Sequence, residues 1–314
     1  MNNFDASTEP QDADETTTPA AAVSAHPPVL RTLIRREFWE HRALWIAPLS
    51  VSALLLLLAI VGKVSFDANL AALPEQRRAV FAVFMAYAAI PQFLTLGIIM
   101  VMYAGDCLYT ERKDRSILFW KSMPVSDTIT VLSKALVVMV IVPLGVYLLS
   151  ALTTLLMSGI YLVRAWQDHA GGAFWDAGTW LQIQSVSLVA VVAAVLWFAP
   201  ITALLLLVSA WARRSVWLWV LLPPVILFVT EYFALHTNHV WNILVYRLGG
   251  VFTHAGMSYP AFSAGAAQHP TLNLLFVTVD PLPVFANVDM WLGVGVAALL
   301  IVATIRIRQY RDDT

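Results

Sequence analysis

Six stretches of the chain are continuously apolar: Ala43–Gly62, Ala79–Ala104, Ala135–Val163, Val186–Ala210, Val216–Leu235 and Met290–Ile305. About 20 apolar residues in a helix cross the roughly 30 Å hydrocarbon layer, so each stretch predicts a membrane-spanning helix. The sixth is the shortest. Runs of unbroken apolarity argue against the alternating strands of a β-barrel. Ahead of them, VLRTLIRREFWEHRALW sets Leu30, Leu33, Ile34 and Phe38 at helical spacing, with Arg31, Arg35, Arg36, Glu40 and Arg42 on other faces. This pattern predicts an amphipathic helix over 29–42 lying at the membrane surface. The expected fold is an all-α integral membrane protein with a six-helix domain over 43–314.

Composition agrees. Of 314 residues, 59% are apolar and 12% charged, with a mean hydropathy of +0.72. Soluble domains run at about 25% charged and 45–50% apolar residues. A soluble core this apolar exposes patches that aggregate, which excludes a soluble enzyme, a nucleic-acid binder and a disordered protein. The net charge of −1 supplies no basic field for nucleic acid. The single cysteine, Cys107, excludes an intrachain disulfide and a cysteine-based metal cluster. Residues 1–28 are different: five acids, no Lys or Arg, and low-complexity runs predict a disordered acidic tail. With no basic n-region and no apolar core, the tail is not read as a signal peptide.

Charge also orients the spans. With the N-terminus inside, 14 of the 19 basic residues fall on inner segments. The positive-inside rule then predicts cytoplasmic termini, and the expected location is a bacterial inner (plasma) membrane. Trp39, Trp45, Trp211, Trp217 and Trp219 near the inner boundary, and Trp166, Trp175, Trp180 and Trp291 near the outer one, suit headgroup level.

Two connections exceed simple turns. The loop 105–134 reads GDCLYTERKDRSILFWKSMPVSDTITVLSK, with Ile117, Leu118, Phe119 and Trp120 in a row between charged residues. Met123-Pro124 ends any helix there. Ser126 then predicts the N-cap of the third span, with Asp127 in its first turn. A short cytoplasmic helix with an apolar face results, and such a face needs either a partner surface or the lipid interface. The outer region 236–289 holds two apolar runs, Trp241–Phe252 and Thr271–Val279, too short to cross a bilayer. They predict re-entrant or interfacial helices, or the core of a small external cap.

Motif chemistry is sparse. The sequence has no GxxxxGK[ST] phosphate loop, HExxH zinc motif or GxSxG elbow. His236 and His239 are the nearest approach to a metal pair, and without an evident third ligand they are read as structural. Glu231 is the one carboxylate well inside a span, and with Gln92 and Thr95 it is the candidate for a substrate path. The further hydroxyls and amides of the spans (Ser150, Thr153, Thr154, Ser158, Gln182, Gln184, Thr202) suit an amphipathic or lipid-like cargo.

The order Glu111-Arg112, a small helix over Asp114–Trp120, Met123-Pro124, Ser126 and Lys134 resembles the coupling loop of type-2 ATP-binding-cassette (ABC) exporter permeases. The plan of an N-terminal amphipathic helix, six spans and a long outer region before the last span is similar too. The resemblance covers roughly 30–310, with its specific part confined to the loop. It implies a permease subunit that pairs with a second permease copy or paralogue and with two separate ATPase subunits, which bind ATP and Mg. This chain itself would be neither an enzyme nor cofactor-bound. Carried over, Glu111, Arg112, Ser116, Ile117, Leu118, Phe119 and Trp120 would contact the ATPase, flanked by Arg35, Arg36 and Phe38. The acidic tail is not part of that plan. The alternatives are a membrane-embedded enzyme and a non-transporting membrane protein, such as an immunity factor or sensor.

Overall fold

The computed structural model describes residues 29–62, 74–113, 126–167, 175–213, 215–254 and 281–310. Of these, 93% are helical and none is in a strand. In chain order the helices are α1 (Val29–Glu40), α2 (Ala43–Val61), α3 (Pro74–Lys113), α4 (Asp127–Leu136), α5 (Val142–Gln167), α6 (Ala177–Trp211), α7 (Val216–Leu235), α8 (His239–His254), α9 (Leu282–Ala286) and α10 (Val288–Tyr310). A π turn over Val137–Ile141 joins α4 to α5 in one continuous span. Six helices are long and apolar enough to cross a membrane, so the chain is a multi-pass membrane protein.

The π turn has a local cause. Pro143 has no N–H, and its ring crowds the carbonyl four residues back, the position of Met139. The backbone answers by widening, and the Val142 N–H reaches the Val137 carbonyl, five residues back. Ser126 caps α4 as expected, its hydroxyl accepting from the Ile129 N–H at 3.3 Å.

Four of the helices overrun the apolar stretches. The second begins at Pro74 and runs to Lys113, the third begins at Asp127, the fourth at Ala177, and the last spans Val288–Tyr310. Hydropathy marks only the part of a helix that suits lipid, whereas caps set its ends. Asp176 shows this: its carboxylate accepts from the Thr179 N–H at 2.8 Å and starts α6 nine residues before Val186.

α6 is the centre of the bundle. Half of its most apolar window is buried, against 6% for α7, and its broadest contacts are with α10 and α3. The main core joins Tyr103, Ala104, Cys107 and Leu108 of α3 with Val137, Val138, Val142 and Val146 of the third span and Leu205, Leu206 and Ala210 of α6. A polar rung crosses the α2–α3–α5 side. Gln92 Nε2 donates to Ser52 Oγ at 2.6 Å and Thr153 Oγ1 at 3.1 Å, each hydroxyl itself donating to a carbonyl four residues back. Such interhelical bonds contribute of order 0.6–2 kcal/mol each inside a bilayer.

Within residues 236–289, α8 covers the apolar run Trp241–Phe252. It folds back on α6 and α7 instead of crossing. Trp197 of α6 is fully buried against it and donates from Nε1 to the Arg247 carbonyl at 2.8 Å. Gly250 makes room for the indole: a Cβ there would lie 2.5 Å from Trp197 Cζ2. The run Thr271–Val279 lies outside the described residues.

Candidate functional site

Four carboxylates and three cations meet at the face where α1, the end of α3, α4 and the end of α10 converge. Glu37 lies on the inward stripe of α1, one turn after the buried Leu33. Lys134, in the last turn of α4, is fully buried. Its Nζ lies 2.7 Å from Glu37 Oε1 and 3.1 Å from Glu111 Oε1. Tyr103 donates its hydroxyl to Glu37 Oε2 at 2.8 Å. Arg36 Nη2 reaches Glu111 Oε1 at 3.3 Å and also pairs with Glu40 one turn on.

Arg308 completes the knot. Its Nη1 lies 2.9 Å from Glu111 Oε2 and its Nε 2.8 Å from Asp127 Oδ1. Glu111 is in the last turn of α3 and Asp127 in the first turn of α4, so one guanidinium on the last span grips both mouths of segment 114–125. Breaking one partner of a buried pair typically costs about 3–5 kcal/mol, because it leaves an uncompensated charge. The assembled knot is worth less than that, since desolvation offsets most of its Coulomb gain. Its effect is positional.

A second clamp holds the end of α3. Arg112 Nη2 donates to the carbonyls of Ser209 at 2.6 Å and Ala212 at 2.7 Å, and Ser209 Oγ accepts from the Leu108 and Tyr109 N–H groups. The loop's entry is therefore fixed to α6 as well as to α10.

Of the residues expected to contact a partner, Glu111 and Arg112 anchor this face from within, and Arg36 joins them. Phe38 packs partly buried against the main core, and Arg35 is exposed. Ser116, Ile117, Leu118, Phe119 and Trp120 lie outside the described residues, as does the tail 1–28. Glu37, Asp127, Lys134 and Arg308, which complete the knot, are absent from the sequence-derived set. Lys134 carried a signal, as the basic residue ending the loop. Glu37 carried another, an acid four residues after Leu33 on an apolar stripe.

The path candidates have intrachain partners. Glu231 accepts from the N–H groups of His239 at 2.6 Å and Val240 at 2.7 Å and from the Thr237 hydroxyl at 2.7 Å. It thus caps the N-terminus of α8, where exposed amides and the helix dipole favour an anion. His236 between them takes the left-handed conformation, φ 53°, that reverses the chain. Gln92 belongs to the polar rung, with its Oε1 unpartnered among the described residues. Thr95 donates to the Pro91 carbonyl at 2.7 Å.

Glu37, Glu40 and His41 bring ligand-type atoms close enough for a metal ion. Both acids are already matched by Lys134, Tyr103 and Arg36, which makes this an ion-pair cluster. His41 packs edge-on against Tyr103, with ring centroids 5.0 Å apart. Burial pushes its pKa below the ordinary value of 6.5, outweighing the pull of Glu37.

Compared with the models of known families, with characterised proteins and with solved structures, the chain has no match.

Proposed function

We propose that the chain is the permease subunit of a type-2 ABC exporter, forming half of a translocation path and coupling it to a separate ATPase. The observation that carries the reading is the grip of Arg308 on Glu111 and Asp127, with Lys134 tying in Glu37 of α1. A loop meant only to connect two spans needs no such foundation. A loop that receives force needs both its ends fixed to the spans that must move. In this reading Ile117, Leu118, Phe119 and Trp120 seat in a pocket of the ATPase, as buried aromatic anchors do at interfaces. α1 lies along the inner surface beside Glu111 and Lys134, the residues that flank that loop.

Two ATPase subunits hold ATP and Mg, and their closure moves the spans as rigid bodies because the ionic knot ties both ends of the loop to those spans. The path runs between this chain and a second permease copy or paralogue. Amides and hydroxyls in place of intramembrane charge suit an amphipathic or lipid-like cargo, a peptide or a drug. Glu231 serves as the cap of α8 in this reading.

Affinity purification of the tagged chain from its native membrane tests it. An ATPase subunit with a phosphate-binding loop is expected to co-purify, and Phe119→Ala with Trp120→Ala to lower its recovery at least tenfold, as loss of two anchor residues worth about 1–2 kcal/mol each implies. A chain that purifies without any ATPase, or a double variant with undiminished recovery, overturns the proposal.

A further inference from the structure

At the face that carries the ionic knot, but on the other side of α10, the ends of α6 and α10 and the start of α7 frame an open pocket of about 500 Å³. Trp211, Arg213, Trp219, Ile307 and Tyr310 line it. Trp211 and Trp219 meet edge to face, with ring centroids 4.6 Å apart, and form one wall. Tyr310 carries a contact from one turn back, Arg306 Nη1 lying 3.4 Å from its hydroxyl. No carboxylate lines the pocket among the described residues. Arg308, by contrast, faces the knot and is matched there by two acids.

Three features point to one class of occupant. The walls are aromatic and aliphatic, which a small hydrated anion does not use. Among the described residues the lining cation is Arg213, just past the end of α6, where phosphate groups of a bilayer lie, and Trp and Tyr favour that depth. The pocket borders α7, the span with the least of its surface covered by protein, so it is open to lipid. Basic pockets between spans recognise acidic headgroups in this way.

We propose that this pocket binds an anionic phospholipid, with Arg213 on the phosphate, the Trp211–Trp219 wall against the glycerol region and Ile307 against the first acyl carbons. The site requires only that the chain spans a membrane, so it stands or falls apart from any ATPase partner.

The test uses the full chain, stripped of lipid in mild detergent and titrated with phosphatidylglycerol, with phosphatidylcholine of the same acyl chains, or with inorganic phosphate. Bound lipid is counted by native mass spectrometry, and the thermal midpoint is followed in parallel. Phosphatidylglycerol is expected to bind more tightly than phosphatidylcholine and to raise the midpoint, while inorganic phosphate leaves it unchanged. Arg213→Ala is expected to weaken phosphatidylglycerol about fivefold without affecting phosphatidylcholine, and Arg213→Lys to retain most of the preference. Trp219→Ala is expected to weaken both lipids. Arg213 is exposed, so its variants keep the fold, and an unchanged midpoint in phosphatidylcholine verifies this. Equal binding of the two lipids, an Arg213→Ala variant with full preference, or a phosphate effect as large as that of phosphatidylglycerol overturns the proposal.

Discussion

Lys134 is a cation with no exposure, so its environment had to be built around it. Glu37 and Glu111 supply that environment at 2.7 and 3.1 Å. Replacing Lys134 by Met removes the charge but leaves both acids buried, and a loss of about 3–5 kcal/mol is expected, read as a lower thermal midpoint in detergent. Adding Glu37→Gln removes one orphaned charge. The double variant is expected to recover a large part of the loss, whereas independent contributions would simply add. His41, on the rim of the same knot, faces Glu37, Glu40, Lys134 and Asp106, and burial holds its pKa below 6.5. The unfolded chain therefore takes up the proton more readily than the folded one. Stability from the neutral ring is complete above pH 6.5 and is lost as pH falls through that value toward the folded pKa. The midpoint is expected to drop between about pH 7.5 and about pH 5.5, with His41→Gln dropping less.

Elements differ in how plainly the chain announces them. The spans are legible because apolarity sustained over a bilayer's thickness has few other uses, and the Ser126 cap because a hydroxyl before an acid and an apolar run has a local meaning. Helix ends such as Ala177 are less so, since a polar first turn continues the backbone bonds without adding hydropathy. The knot is hidden for a different reason: Arg308 lies 197 residues from Glu111 and 181 from Asp127, and no local pattern relates them. α8 was visible as an apolar run, but its docking depends on Gly250, whose Cβ would meet the buried Trp197 ring at 2.5 Å. Gly249 beside it has nothing within 4 Å. Gly250→Ala is expected to cost about 1–3 kcal/mol by overpacking. Gly249→Ala is expected to be neutral or to stabilise by up to about 1 kcal/mol, since alanine is the better helix former. Comparing the two thermal midpoints separates packing from backbone preference, and equal shifts would remove the indole contact from the account.

Across the whole molecule, the knot brings α1 and the end of α10 to one face, so both ends of the helical domain lie on the same side of the membrane. Which side is a question of charge. By sequence, fourteen of the nineteen basic residues fall on segments that would be inner if that face is cytoplasmic, so the positive-inside rule predicts that it faces the cytoplasm. Cys107 makes the assignment simple to test, because the only thiol of the chain is buried. An impermeant maleimide then reports on introduced cysteines alone. Ala264→Cys, in the outer region, is expected to label in intact cells, and Ala20→Cys, in the acidic tail, only after permeabilisation. The reverse result would turn the loop between α3 and α4 away from the cytoplasm, where ATP is held. The ionic knot would then remain a structural anchor, but no ATPase could press on what it anchors.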